Sequence, residues 1–143
     1  QRPTRNAEVA DSLVFRAVIE PAAAYQAALA ELDDGRRELL QESLADLAAA
    51  DTPAAYRQAD ARLHLAIATV CGSDELTKAC NAIQIKIHQF LAEIPFLRKN
   101  IEGSDEQHRE IVAAILDHDA ARARDLMHAH CDATAALLKG LLT

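Results

Sequence analysis

The sequence has no tryptophan, three phenylalanines and two tyrosines in 143 residues. Its core must therefore be built from aliphatic and alanine side chains. Glycine and proline number only four each, so there is little to punctuate a chain of many short strands and turns. An alanine-rich, glycine-poor chain favours helices over sheet. No apolar run reaches the roughly 18 residues that span a bilayer, which excludes a membrane helix. Cysteine occurs three times, an odd number, and Cys71, Cys80 and Cys131 form no C-x-x-C pair. That argues against a disulfide framework and, with no signal peptide in view, for a reduced, cytoplasmic setting. Basic residues are too few to balance the acids, and the net charge is −7. Phosphate contacts need clustered Lys and Arg, so this chain alone is a poor nucleic-acid binder.

Half of the residues are hydrophobic, enough for one unstapled core in a domain of this length. The chain lacks an initiating Met, and "QRPTRN" reads as a linker left by an upstream domain. Residues 1–10 are thus expected to be linker or the start of the first helix, and residues 11–143 the domain proper.

Six helices are predicted. The first covers Ala7 to Leu32, with Val14, Ala17, Val18, Pro21, Tyr25 and Ala28 on one stripe. Pro21 predicts a kink or a local break. "DDG" (Asp33 to Gly35) ends it. The second, Arg36 to Ala50, buries Leu39, Leu40, Leu44 and Leu47. The third has Thr52 as N-cap and Pro53 in its first turn, and ends near Gly72. The fourth starts after Ser73 and is expected to reach Lys99, disturbed at Pro95. The fifth covers Asp105 to Leu116, and the sixth follows "DHDAA" (Asp117 to Ala121) to about Leu142. Short connections favour antiparallel neighbours, so the expected fold is an all-α antiparallel bundle of six to seven helices around a central ligand or metal cavity.

Several polar residues sit where that bundle should be apolar. The third helix buries Tyr56, Ala59, Leu63, Ile67, Val70 and Cys71, and Asp60 and His64 fall on the same stripe. Four residues turn 400°, so these two side chains point only ~40° apart. On the fifth helix His108 shares the face of Ile111, Val112 and Ile115. On the sixth, His130 lies among Leu126, Met127, Ala133, Thr134 and Leu137.

A lone inward His is usually a hydrogen-bonded core residue, and a lone inward Asp a cap or ion-pair partner. Four such groups together are costly to bury unpaired, and one divalent cation satisfies them all. Three imidazoles and a carboxylate suit zinc first, and also nickel, iron or manganese. His128 is about 200° from His130 and should face away. His118 reads as a helix-end or solvent residue. Asn81, Gln84 and His88 form a polar line, read mainly as solvent-exposed. The competing reading makes Gln84 and His88 line a ligand pocket.

"RAVIEPAAA" (Arg16 to Ala24), "DARLHLAIATVCGS" (Asp60 to Ser73), "EQHREIVAAILDHDAARA" (Glu106 to Ala123) and "MHAHC" (Met127 to Cys131) follow one another in order. In this the chain resembles the C-terminal effector-binding (FCD) domain of GntR-family transcription regulators, FadR subgroup. The resemblance spans Asp11 to Leu141. It implies a helical bundle whose cavity floor holds one divalent ion, ligated by the residues at Asp60, His64, His108 and His130. It implies a small organic-acid or sugar-acid effector, a homodimer, and DNA binding through an N-terminal winged helix-turn-helix domain that this chain lacks.

Arg16 matches an arginine that often faces the cavity and could grip a carboxylate in bidentate fashion. Its alternative is a helical pair with Glu20. Ser73 stands where the family often has Asn, a swap of one capping residue for another. The leading expectation is a sensor and not an enzyme. The alternative is a metal-dependent hydrolase, since zinc on three histidines can activate water. Glu106, the nearest candidate base, falls on another face than His108. A purely structural bundle leaves the four inward polar residues unexplained.

Overall fold

The computed structural model describes residues 4–142. The linker reading of residues 1–3 and the expected domain end at residue 143 lie outside the described residues. Six α-helices follow in order: α1 (Arg5–Leu29), α2 (Asp34–Ala49), α3 (Pro53–Val70), α4 (Asp74–Leu91), α5 (Arg98–Leu116) and α6 (Ala120–Leu142). The fold is all-α, as expected.

Short polar side chains start most of these helices by accepting a free backbone N–H. Thr4 caps α1, Asp33 caps α2, Thr52 caps α3 and Ser73 caps α4, through the amides of Ala7, Arg36, Ala55 and Leu76. Asp119 does the same for α6 through Arg122. Gly72 closes α3 with φ +82°, a left-handed turn that favours glycine. His118 takes the equivalent position after α5 with φ 58°. Its Nδ1 donates to the Ala28 carbonyl at 2.9 Å, tying the α5–α6 turn to the end of α1. The helix-end reading of His118 is the right one.

Three expectations need correction. The fourth helix stops at Leu91, not Lys99, and α5 begins at Arg98, not Asp105. Pro95 lacks an N–H and restricts the residue before it, so the break falls across 92–97. Gly103 and Ser104 are absorbed inside α5, although they look like loop residues. Pro21 does not break α1, which runs unbroken through it.

The third correction concerns the face of α1. Val14 and Val18 are 67% and 66% exposed, and Phe15 and Leu29 are exposed too. The buried face is instead Val9, Leu13, Arg16, Ile19, Glu20, Ala23, Ala24, Ala27 and Ala28. Two charged residues therefore point inward while two valines point out.

The inward turn of α1 follows from where it packs. It lies mainly against α6 and α4, with α3 and α5 also in reach, and not alongside α2. Its alanines allow that close approach. Elsewhere α2 packs on α3, α3 on α4, and α5 on α6. Leu40, Leu63, Ile67, Ile87, Ile111, Ile115 and Met127 fill the core, each 2% exposed or less. The segment 92–97 carries the chain away from α4, so α5 packs on α6, α1 and α2 instead. Thus α3, α5 and α6 all present one face to α1, and the polar residues of four helices converge there.

Candidate metal centre

Asp60, His64, His108 and His130 come together. Each offers one ligand-type atom, and these atoms all lie within 4.8 Å of one another. All four residues are buried. His108 Nε2 lies 2.9 Å from Asp60 Oδ1 and 3.3 Å from His64 Nε2, and His64 Nε2 is 3.4 Å from the same Asp60 oxygen. The rings of His64, His108 and His130 sit with centroids 4.5 to 5.4 Å apart. Asp60 Oδ1 is buried and has no well-formed hydrogen bond. Two ring nitrogens and an orphaned carboxylate oxygen facing one point suit a shared cation, which resolves the desolvation cost. The donor set fits a divalent transition-metal ion, with three protein nitrogens and one oxygen.

The outward atoms of the site are held as well. His64 Nδ1 donates to Glu20 Oε1 at 3.0 Å, and His130 Nδ1 donates to Gln107 Oε1 at 2.7 Å. Each bond orients its ring so that Nε2 faces the centre. His88 Nε2 is 3.0 Å from the far oxygen of Asp60, and the Gln84 amide reaches the same ring nitrogen at 2.9 Å. His88 is therefore not the solvent-facing residue that its polar line suggests. Neither Gln84 nor His88 lines the cavity beside the centre. They line a separate open groove between α3 and α4, from which His88 reaches Asp60 from behind.

The electrostatics follow from this packing. Burial pushes the Asp60 carboxyl up, but the imidazoles of His64, His108 and His88 outweigh it and hold it well below the usual carboxylate range. Burial likewise opposes ionisation of Glu20, yet His64 and Arg16 bring it down to about 2. Burial lowers His64, and the Glu20 and Asp60 carboxylates reverse that, raising it to about 9. Burial and the neighbouring His108, His64 and Arg16 push His130 well below the ordinary imidazole value.

A cavity of about 250 Å³ opens beside the centre, with Asp60, His130, Gln107 and Arg16 in its wall. Arg16 makes the helical pair with Glu20 and also lines the cavity. Its Nε donates to Glu20 Oε2 at 2.7 Å, while its buried Nη1 has no partner. His128 faces away, exposed, beside Asp132, as helical phase requires. Glu106 is exposed.

Sequence reasoning missed Glu20 and Gln107 as supports of the centre. In the sequence Glu20 stands out only as a helical partner for Arg16, and periodicity places it on no core stripe. Gln107 carries no signal beyond standing next to His108.

The comparisons with known proteins agree with this architecture. Among curated proteins no sequence matches the chain. In structure it is similar to a Streptococcus agalactiae GntR protein, with a TM-score of 0.77 at 24% identity. The match covers 90% of this chain and 58% of that one, so the chain spans little more than half of the regulator's length. At that identity the likeness speaks for the fold. The FCD domain family matches residues 11–133, most of the chain and every residue of the candidate centre. The chain belongs to the FCD domain family.

Proposed function

We propose that this chain is the effector-binding domain of a GntR-type transcription regulator, FadR subgroup, and that it senses a small organic acid anchored on one divalent metal ion. The carrying observation is the convergence of Asp60, His64, His108 and His130 on one buried point in the wall of a cavity that Arg16 also lines. Zinc suits this set first; nickel, manganese and iron share its ligand chemistry. A bound ion supplies a Lewis-acidic position for a carboxylate oxygen.

The rest is done by the chain's own residues. Arg16 turns its unpaired Nη1 to an acid that enters the cavity, and its bond to Glu20 keeps the guanidinium from swinging away. Glu20 and Gln107 hold His64 and His130 in register. His88 serves Asp60, Gln84 holds His88, and neither lines the cavity that takes the acid. The cavity is below the roughly 300–1,000 Å³ of drug-sized pockets, so the ligand has few heavy atoms. In this reading the chain is a sensor: among the described residues Asp60 and His130 are the general-base types in the cavity wall, and both are proposed metal ligands.

DNA binding belongs to a separate winged helix-turn-helix domain, and the working form is a cytoplasmic homodimer. The name and greater length of the S. agalactiae relative support the first point. The exposed apolar residues of α1 (Val14, Phe15, Val18 and Leu29) support the second, as a surface a second copy would cover.

Metal analysis after purification in metal-supplemented medium should give close to one divalent ion per chain. A panel of small acids should then raise the melting temperature of the metal-loaded chain. At a hundred times the dissociation constant, binding adds about 2.7 kcal/mol, a shift on the order of 10 °C at this size. A metal ratio near zero, or a panel that moves nothing on the loaded protein, defeats the reading.

A further inference from the structure

The wall of this cavity is unusual for so acidic a chain. Among the described residues its charged side chains are Arg16, Arg57 and Asp60, while the whole chain carries −7. Arg57 makes no ion pair among the described residues. Its guanidinium lies over the rings of Phe96 at 5.4 Å and Tyr56 at 6.0 Å. Cation–π contact of that kind restrains the guanidinium while its N–H groups stay available to an anion. Arg57 also stands three residues before Asp60 on α3, about one helical turn or ~4.5 Å along the axis. Two arginines without an anionic partner for the N–H edge, among the described residues, thus line one cavity: Arg16 through its buried Nη1, and Arg57 one helical turn before Asp60. Asn100, Ser104 and Thr134 add neutral polar groups to the same wall.

Resting on the acid-sensing reading above, we infer that the effector is a short dianion, and that Arg57 is the residue that selects it. One carboxylate sits at the metal and Arg16, and a second anionic group pairs with Arg57. Charge argues the same way. With a divalent ion bound, Asp60 and Glu20 offset two of the four positive charges carried by the ion, Arg16 and Arg57. A monoacid still leaves one of them, and a second anionic group offsets it in a partly desolvated site. Phe96 and Tyr56 orient Arg57 before the ligand arrives, so little side-chain freedom is lost on binding.

The test compares succinate with butyrate, which has the same chain length and one carboxylate fewer. Each is titrated by calorimetry into the zinc-loaded full chain. Succinate should bind about ten-fold or more tighter, the value of one charge-assisted hydrogen-bonded pair. Arg57→Gln should remove most of that preference by weakening succinate alone, and Arg57→Lys should keep part of it. Equal binding of the two acids to the wild-type chain overturns the inference, and that arm needs no variant. So does an Arg57→Gln protein, folded by circular dichroism, that weakens both acids alike. If no short mono- or diacid binds the zinc-loaded chain at all, the acid-sensing reading itself fails and this inference falls with it.

Discussion

Glu20 on α1 accepts a hydrogen bond from His64 on α3 at 3.0 Å with one carboxylate oxygen and from Arg16 at 2.7 Å with the other. One buried side chain thereby couples the residue that should grip an acid to a residue that should grip a metal. Glu20→Gln should keep the shape and lose the charge. Metal affinity, measured by titrating zinc into chelator-stripped protein, should fall about 10- to 100-fold, as for other outer partners of a ligating histidine. An affinity equal to wild type means that His64 is oriented by something else.

His130 and His128 provide an internal control two residues apart. His130→Ala removes a proposed ligand and should lower metal affinity by well over the 10–100-fold of an outer partner. The added stability of the metal-loaded form should shrink with it. His128 is exposed, and His128→Ala should stay within about ±0.5 kcal/mol. The same zinc titration, with thermal melts of both variants, reads the difference. Equal losses reject the ligand set.

Gly72 tests the end of α3 without touching the centre. A Cβ there meets no atom within 4 Å, so the only penalty is the left-handed backbone at φ +82°. Gly72→Ala should cost about 1 kcal/mol in a denaturant melt and leave zinc affinity unchanged. A loss of several kcal/mol means that the turn does more than reverse the chain.

Asp105 gives a pH signature. Burial raises its carboxyl above 3.8, against the pull of His108, Arg109 and Tyr56. One of its oxygens is buried without a hydrogen bond. A group raised on folding favours the folded state below its unfolded value, and that contribution is lost as pH rises through the folded value. At neutral pH the ionised carboxylate therefore opposes folding. Asp105→Asn should melt higher than wild type at pH 7, and the gap should close as pH falls toward 3.8. A gap that is constant with pH removes the electrostatic explanation.

Much of the centre could be read from α3, α5 and α6 because their large aliphatic residues mark a clear phase. Leu63, Ile67 and Val70 fix the inward face of α3, so Asp60 and His64 could be placed by rotation alone. Ile111 and Ile115 do the same for His108, and Met127 for His130. The N-caps Thr52 and Ser73 were legible from residue type. Helix α1 was not. Its alanines fit any face, so the two valines decided the phase, and they point outward. The charged Arg16 and Glu20 take the inward face because each satisfies the other there, a pairing that hydrophobic periodicity cannot register. The end of α4 was missed because a proline fixes where a helix is disturbed but not which of its neighbours leave the helix.

Arg16 and Glu20 lie near the midpoint of a 25-residue rod. At 1.5 Å per residue that rod is ~37 Å long, so each end stands ~18 Å from the site. Pro21, the next residue after Glu20, has no N–H to give to the turn before it, which leaves α1 one hydrogen bond short beside its two charged residues. A tilt of ~5° about that point moves an end of the rod by ~1.6 Å. The residues proposed to meet the acid and the metal thus stand beside the turn of α1 that lacks a hydrogen bond, the point where a proline-containing helix bends most readily.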